Sequence, residues 1–211
     1  MSDLPRNTQL ARKAGYNFIH LSDNIKGINL ASEDETKRAE DLNRFVELLG
    51  VTEKLGAPSM RVNTGEPEKP DWDISLTIAQ FKKLAQLGKQ KGIEIIVENH
   101  FGISADPLNV AKIVQGVGDN ISSCPDFGLF KDDKDRWPGL EVMLKHARRM
   151  CSAKFHGFDE QGKPTDFDLE RCYKMLKASN YRGWISLEYE GLKEPTALLV
   201  KMKSLAQQWL S

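Results

Sequence analysis

Short apolar segments alternate along this chain with longer segments in which apolar residues recur every three or four positions. Leu42, Phe45 and Leu49 illustrate the second pattern, which is typical of one buried face of a helix. The short segments are bounded by glycine, asparagine or aspartate, as strands are in alternating α/β chains. The pattern predicts a parallel α/β fold. Its six strands are expected in FIHLSD, MRVNTG, IEIIVENH, ISSCPDFG, SAKFHGFD and WISLEYEG.

Local signals predict where several helices begin and end. Asp106 followed by Pro107 suits the cap and first turn of a helix, which is expected to end in GVGDN. A helix after DRWPGL is expected to run to about Arg149. The last helix is expected to open at Glu194 and Pro195.

Alternate residues of a barrel strand face the lumen, so the two faces of each predicted strand should differ in chemistry. In IEIIVENH, Ile93, Ile95 and Val97 are aliphatic, whereas Glu98 and His100 share the other face. The lumen is therefore expected to be polar. The same rule pairs Arg61 with Asn63, Lys154 with His156, and Ser186 with Glu188.

Four side chains with metal-binding chemistry come at the ends of successive predicted strands: Glu98, Asp126, His156 and Glu188. The carboxyl ends of parallel strands meet at one rim, where α/β proteins place their chemistry. A set of oxygen ligands with one imidazole suits Mn²⁺, Mg²⁺ or Co²⁺, and zinc is also possible. We therefore predict a divalent-metal site at this rim.

Composition narrows the class of protein. The length of 211 residues suits a single domain over residues 1–211. Lysine plus arginine equals aspartate plus glutamate at 30 each, so neither a nucleic-acid nor a membrane partner is expected. Three cysteines without CxxC spacing predict a reducing compartment. With no basic and apolar leader visible, the expected location is the cytoplasm.

Five sequence landmarks occur in the order and approximate spacing of a known family: LGAPSMRVNTG, GIEIIVENHFG, CPDFG, AKFHGFDEQGK and YRGWISLEYEG. Over nearly its whole length the chain resembles the xylose isomerase-like TIM barrels, which include sugar phosphate isomerases and epimerases. The resemblance implies a TIM-type (β/α) barrel. It also implies that Glu98, Asp126, His156 and Glu188 are the divalent-metal ligands, with Glu98 and Glu188 as the acid/base pair.

The activity that this resemblance implies is a metal-dependent isomerisation or epimerisation of a small sugar, sugar phosphate or polyol derivative. The reaction would proceed by metal-assisted proton transfer between the two glutamates. The small carbohydrate substrate is expected to contact His100, Lys154, Arg61 and Asn63.

The chain departs from the family pattern at three places. Leu129 stands where many of the epimerases have a histidine, and GFDEQGK lacks the arginine of the tagatose type. Substrate recognition is therefore expected to differ from that type. About six of the family's eight strands are readable, and the chain begins in the helix before the third. Three explanations account for the two missing strands: a shortened chain, a second copy that covers the open edge (a homo-oligomer), or a catalytically inactive binding or structural remnant.

Other interpretations of the same residues stay open. Glu98 and Glu188 could form ion pairs with Arg61 or Lys154, Asp126 could cap a turn, and His156 could belong to the core. Lys154 could form a Schiff base in an aldolase. An endonuclease IV-like phosphodiesterase shares the barrel but uses several zinc ions and more histidines. Four histidines and zero net charge weigh against it.

Overall fold

A computed structural model of the chain describes residues 4–15, 20–22, 27–67, 69 and 71–211. Strands and helices alternate through these ranges. The strands are β1 (Leu21–Ser22), β2 (Ser59–Arg61), β3 (Glu94–Glu98), β4 (Ile121–Cys124), β5 (Met150–Phe155) and β6 (Trp184–Tyr189). The helices are α1 (Leu4–Lys13), α2 (Glu35–Leu55), α3 (Ile74–Gln90), α4 (Pro107–Val117), α5 (Asp133–Leu144), α6 (Leu169–Ala178) and α7 (Pro195–Leu210), and a short 3₁₀ helix covers Gly102–Ala105.

Six parallel strands, one in each predicted segment, confirm the alternating α/β interpretation. β1, β2, β3 and β4 form one sheet in that order, and β5 pairs with β6 in a second. In the first predicted strand, FIHLSD, the residues Phe18, Ile19 and Asp23 lie outside the described residues. The strands β2 to β6 end before their predicted segments do, because the residues that follow each strand form the loops of the rim, and β2 and β5 begin one and two residues earlier than predicted, at Ser59 and Met150.

Most helix boundaries follow the side chains that cap them. Asp106 accepts a hydrogen bond from the backbone N–H of Leu108 and Pro107 is the first residue of α4, as predicted. Glu194 caps α7 in the same way by accepting from Thr196 N–H. These caps explain why α4 and α7 open where the sequence placed them.

The prediction for the helix after DRWPGL was wrong. Helix α5 begins at Asp133, includes Pro138, and ends at Leu144 rather than near Arg149. Asp132 caps it by accepting from Asp135 N–H, so the helix starts before the proline. Beyond Leu144 the chain turns, and His146 C=O accepts a hydrogen bond from Ser123 N–H. This contact with β4 ends the helix.

Two apolar cores lie side by side under the strands. The first contains residues of α2, α3, α4 and the strands β2 to β4, with Phe45, Phe81 and Ile95 fully buried. The second contains residues of α5, α6, α7 and β5, with Phe155 and Tyr173 fully buried. Between the two sheets the described backbone makes isolated bridges at Ser123 with Ala147 and at Asp126 with Ser152. The seam between the cores therefore runs past Asp126.

The barrel is incomplete, as the sequence predicted. Among the described strands, β1 pairs with β2 alone and β6 with β5 alone, so both keep an unpaired edge. Every residue of β6 is at least partly exposed, unlike those of β3 and β4, which are all buried. Within the described ranges, every helix is too short or too polar to span a bilayer.

Candidate functional site

The candidate site lies at the carboxyl ends of the strands and takes residues from both sheets. Arg61 ends β2 and Glu98 ends β3, and parallel pairing places these ends next to each other. Asp126 follows β4, while Lys154 and Glu188 are directly opposite in the pairing of β5 with β6. The fold therefore brings residues distant in sequence to one rim, as the alternation of the strands predicts.

Three carboxylates form the centre of the site, and we call them the acidic triad: Glu98, Asp126 and Glu188. One oxygen atom of each lies within 4.8 Å of the others. Glu98 and Asp126 are buried and Glu188 is partly exposed. The Oδ2 atom of Asp126 is buried and has no hydrogen-bond partner among the described residues. An ionisable oxygen placed in this way needs a cationic or donor neighbour, because burying it alone is costly.

The loop after β4 fixes the carboxylate of Asp126. Its Oδ1 atom accepts hydrogen bonds from Gly128 N–H (2.7 Å) and Leu129 N–H (3.2 Å). Asn99 accepts from Asp126 N–H (2.8 Å) and donates to the carbonyl oxygens of Asp126 and Leu129. One oxygen of Asp126 thus organises the turn, as one alternative held, while the other stays available at the triad.

Arg61 compensates part of the charge of Glu98. Its Nη1 atom donates to Glu98 Oε2 at 2.6 Å, so this ion pair is present alongside the triad. Burial still raises the pKa of Glu98 to about 7, more than Arg61 lowers it. Burial likewise raises the pKa of Asp126 to about 6. For Glu188, hydrogen bonding by Ser152 and the charge of Lys154 outweigh burial and lower the pKa.

Lys154 is the second cation of the site, and only 3% of its surface is exposed. Its Nζ atom lies 2.9 Å from Glu190 Oε1, 3.2 Å from Glu188 Oε1 and 3.6 Å from Asp126 Oδ2. Burial alone would lower the pKa of Lys154, but the carboxylates, Asp126 foremost, raise it above its usual value. A cationic amine is a poor nucleophile, so this environment does not favour the Schiff-base alternative.

His156 lies at the outer edge of the site, outside the acidic triad. Its Nδ1 atom is 3.0 Å from Asp166 Oδ2, and its Nε2 atom is 3.8 Å from Glu190 Oε2. The side chain is 43% exposed, which is unlike a core histidine. The contact with Asp166 orients the ring and leaves Nε2 as the nitrogen available to a ligand.

The remaining predicted substrate contacts, Asn63 and His100, follow Arg61 and Glu98 at the ends of β2 and β3. Asn63 is buried two residues after Arg61. His100 is partly buried two residues after Glu98, and burial lowers the pKa of its ring. Its Nδ1 atom is buried without a hydrogen-bond partner among the residues that the structure describes. The roles assigned to the eight predicted residues remain predictions.

Four residues of the site were missed by the sequence analysis. Glu190 has the strand parity of Glu188, and Ser152 has that of Lys154, so the alternation that found their neighbours could have found both. Asn99 gave a weaker signal as a polar residue at the end of an apolar strand. Asp166 gave none, because its pairing with His156 depends on how the loop before α6 folds back.

The site fits a divalent cation on three grounds. Its donors are carboxylate oxygens, which hard divalent ions prefer. One of them, Asp126 Oδ2, is buried and lacks a hydrogen bond. When all are ionised, the triad and Glu190 carry two more negative charges than Arg61 and Lys154 neutralise, which one divalent ion would balance. The residues that would hold it are the triad, with His156 Nε2 at the edge.

Comparisons with known proteins give the family. The model of the family described as "Xylose isomerase-like TIM barrel" matches residues 6–208. No curated protein matches the chain.

Solved structures share the fold at low sequence identity. A D-allulose 3-epimerase from Methylomonas sp. has a TM-score of 0.80 at 15% identity, over 99% of this chain and 82% of that one. An L-ribulose 3-epimerase has a TM-score of 0.75 at 15% identity, over 100% and 89%. A xylose isomerase-like TIM barrel protein from Mycobacterium smegmatis, in complex with magnesium, has a TM-score of 0.70 at 14% identity, over 100% and 79%. The match of the family model over residues 6–208 establishes that the chain belongs to the xylose isomerase-like TIM barrel family.

Proposed function

We propose that this protein is a divalent-metal-dependent isomerase or epimerase of a small sugar, sugar phosphate or polyol derivative. The observation that carries the proposal is the acidic triad at the carboxyl ends of the strands, in which the buried Oδ2 atom of Asp126 accepts no hydrogen bond from the described residues. Family membership and neighbours whose names say that they epimerise ketoses support the choice of substrate class.

In this proposal the residues of the chain bind, orient and exchange protons with the sugar. When bound, a divalent ion supplies charge that acidifies the C–H next to the sugar's carbonyl. Glu98 and Glu188 take and return the proton, because they approach from different sheets and can act on opposite faces of the substrate. Arg61 holds Glu98 by its 2.6 Å hydrogen bond, and Ser152 holds Glu188 by one of 2.7 Å. Mn²⁺, Mg²⁺ and Co²⁺ suit the donors best.

The expected partner is the small carbohydrate alone, without nucleic acid or membrane, and the expected location is the cytoplasm. A second copy of the chain could cover the unpaired edge of β6. An inactive binding or structural remnant is the second candidate, and the same exposed edge favours it. The two candidates differ in whether the acidic triad binds a metal ion.

The first test is isothermal titration of the metal-stripped protein with Mn²⁺. We expect saturable binding of one ion per chain. The variants Asp126→Asn and Glu188→Ala should bind at least about tenfold more weakly, since each loses a charged ligand. Glu170→Ala, which removes an exposed carboxylate of α6 paired with Lys174, is the matched control and should bind as the parent does.

The second step is a proton-exchange assay in D₂O with the Mn²⁺-loaded protein and a panel of ketoses, aldoses and their phosphates. Deuterium should enter at the carbon next to the carbonyl, and Glu98→Gln should abolish this exchange. Absence of Mn²⁺ binding in every protein would refute the proposal and favour the remnant. Binding without exchange on any sugar would limit the protein to metal binding.

A further inference from the structure

The ammonium group of Lys154 lies where it competes with any cation for the acidic triad. Its Nζ atom is 3.2 Å from Glu188 Oε1 and 3.6 Å from Asp126 Oδ2, so two of the three carboxylates already face a positive charge. Its shortest contact with a carboxylate is the hydrogen bond that it donates to Glu190 Oε1, at 2.9 Å. The ammonium thus contacts both the triad and Glu190.

Packing of the Lys154 stem limits where the ammonium can go. A Cβ atom on Gly128 would come within 3.0 Å of Cβ, Cγ and Cδ of Lys154, so the stem lies directly on the backbone of that glycine. The same Gly128 N–H holds Asp126 Oδ1 at 2.7 Å. This contact restricts the stem, and the terminal ammonium lies within reach of three carboxylates.

Glu190 lies where it can bind the Lys154 ammonium when that group moves away from the triad. It lies two residues beyond Glu188, and its backbone N–H is fixed by a hydrogen bond to Phe155 C=O. Its side chain is 48% exposed, so its carboxylate is in contact with water. Its second oxygen lies 3.8 Å from Nε2 of His156, the predicted imidazole ligand. Glu190 thus contacts both Lys154 and His156 without belonging to the triad.

We infer that Lys154 is a built-in counter-cation of the acidic triad, and that Glu190 is the positioning residue that holds it away when a divalent ion binds. The inference rests on the proposed metal site and adds two residues that set its affinity. Lys154 weakens metal binding by charge competition, whereas Glu190 relieves this competition. The effect of Glu190 on metal affinity must then depend on the presence of Lys154.

A double-mutant cycle tests this dependence by titrating Mn²⁺ into four metal-stripped proteins at one pH: the parent, Lys154→Met, Glu190→Gln and the double variant. Lys154→Met keeps the stem on Gly128 and removes the charge, so affinity should rise about tenfold. Glu190→Gln should lower affinity about tenfold in the parent, but less than about threefold when Lys154 is already methionine.

The exposed pair Lys174 and Glu170 on α6 provides the control, because Lys174→Met and Glu170→Gln make the same two substitutions in an ion pair that includes no residue of the site. If Lys154→Met does not fold by circular dichroism, Lys154→Gln takes its place in the cycle. Saturable Mn²⁺ binding with additive effects of the two substitutions would overturn the inference and leave the metal site intact. Failure of all proteins to bind Mn²⁺ would instead refute the proposed function, and this inference with it.

Discussion

At the scale of single residues, burial raises the pKa values of the acidic triad, whereas pairing with cations and hydrogen-bond donors lowers them. Burial raises the pKa of Glu98 to about 7, although Arg61 donates to it. Glu188 is partly exposed and faces Ser152 and Lys154, and its pKa is lowered. In the metal-free protein, Glu98 is therefore the carboxylate of the triad whose pKa lies closest to 7.

The raised pKa of Glu98 predicts how the free energy of unfolding of the metal-free protein depends on pH. Between the unfolded pKa of 4.5 and the folded value of about 7, the folded state keeps a proton on Glu98 that the unfolded state loses, so rising pH destabilises the fold. Glu98→Gln mimics the protonated form and removes this contribution. We expect the variant to match the parent near pH 5 and to exceed its free energy of unfolding by up to about 3 kcal/mol near pH 8.

Urea unfolding of both proteins in EDTA at several pH values measures this difference. Glu188→Gln is the matched control, because a lowered pKa gives stability that is present above 4.5 and lost as pH falls through the folded value. The difference in free energy of unfolding between Glu188→Gln and the parent should change with pH in the opposite direction. Parallel stability curves for the parent and Glu98→Gln would contradict the prediction.

At the scale of elements, Asn99 joins the end of β3 to the loop after β4. It is fully buried, donates to two carbonyl oxygens of that loop, and accepts from Asp126 N–H. These three hydrogen bonds hold the backbone that presents the Asp126 carboxylate. Asn99 therefore acts on the candidate metal site through a loop that it does not belong to.

Asn99→Ala should lower both stability and metal affinity. The substitution removes the partner of two buried backbone groups of Asp126 and of the partly buried carbonyl of Leu129, which we expect to cost about 3 kcal/mol of unfolding free energy. It also frees the loop, so Mn²⁺ affinity should fall by about tenfold or more. Thermal unfolding in EDTA and isothermal titration measure the two effects.

Asn120→Gly is the control for this prediction, because Asn120 also donates to two carbonyl oxygens, those of Ala85 and Ile93, away from the acidic triad. Glycine suits its left-handed backbone, whose φ is 53°. This variant should lose stability and keep its Mn²⁺ affinity. Equal effects of both substitutions on affinity would mean that Asn99 matters only for folding.

The sequence predicted the elements and the triad carboxylates because both follow from local periodicity. Glu98 is the last residue of β3 and Glu188 the last but one of β6, and both strands alternate regularly, so the face on which each carboxylate lies could be predicted. The end of α5 could not, because the contact of His146 with Ser123 that turns the chain depends on packing against β4. The pairing of His156 with Asp166 spans a loop and has no periodic signal. Glu190 was accessible to the same parity argument as Glu188.

At the scale of the whole molecule, the edge of β6 that is unpaired among the described strands is an exposed feature of the barrel. Trp184 at the start of this strand is 50% exposed, and Val200 of the neighbouring α7 is 63% exposed. An unpaired edge flanked by apolar side chains favours pairing with another chain. This is the surface that a second copy would cover.

We therefore expect self-association through β6. The melting temperature should rise by a few degrees over a hundredfold increase in protein concentration, because association stabilises the folded state by mass action. Trp184→Lys places a charge at the edge and should remove this dependence. Leu108→Lys, at a residue of α4 that is 53% exposed, should preserve it. Sedimentation that shows a monomer at every concentration would contradict the prediction.

The position of the acidic triad across the seam between the two cores has a mechanical consequence. Glu98 comes from the sheet of the first core and Glu188 from that of the second, while Asp126 lies where the two sheets touch. An ion held by all three carboxylates would cross-link two halves of the molecule that otherwise share few backbone hydrogen bonds. Chelation would then loosen the joint between the halves as well as empty the site, so the proposed chemistry and the rigidity of the barrel would be lost together.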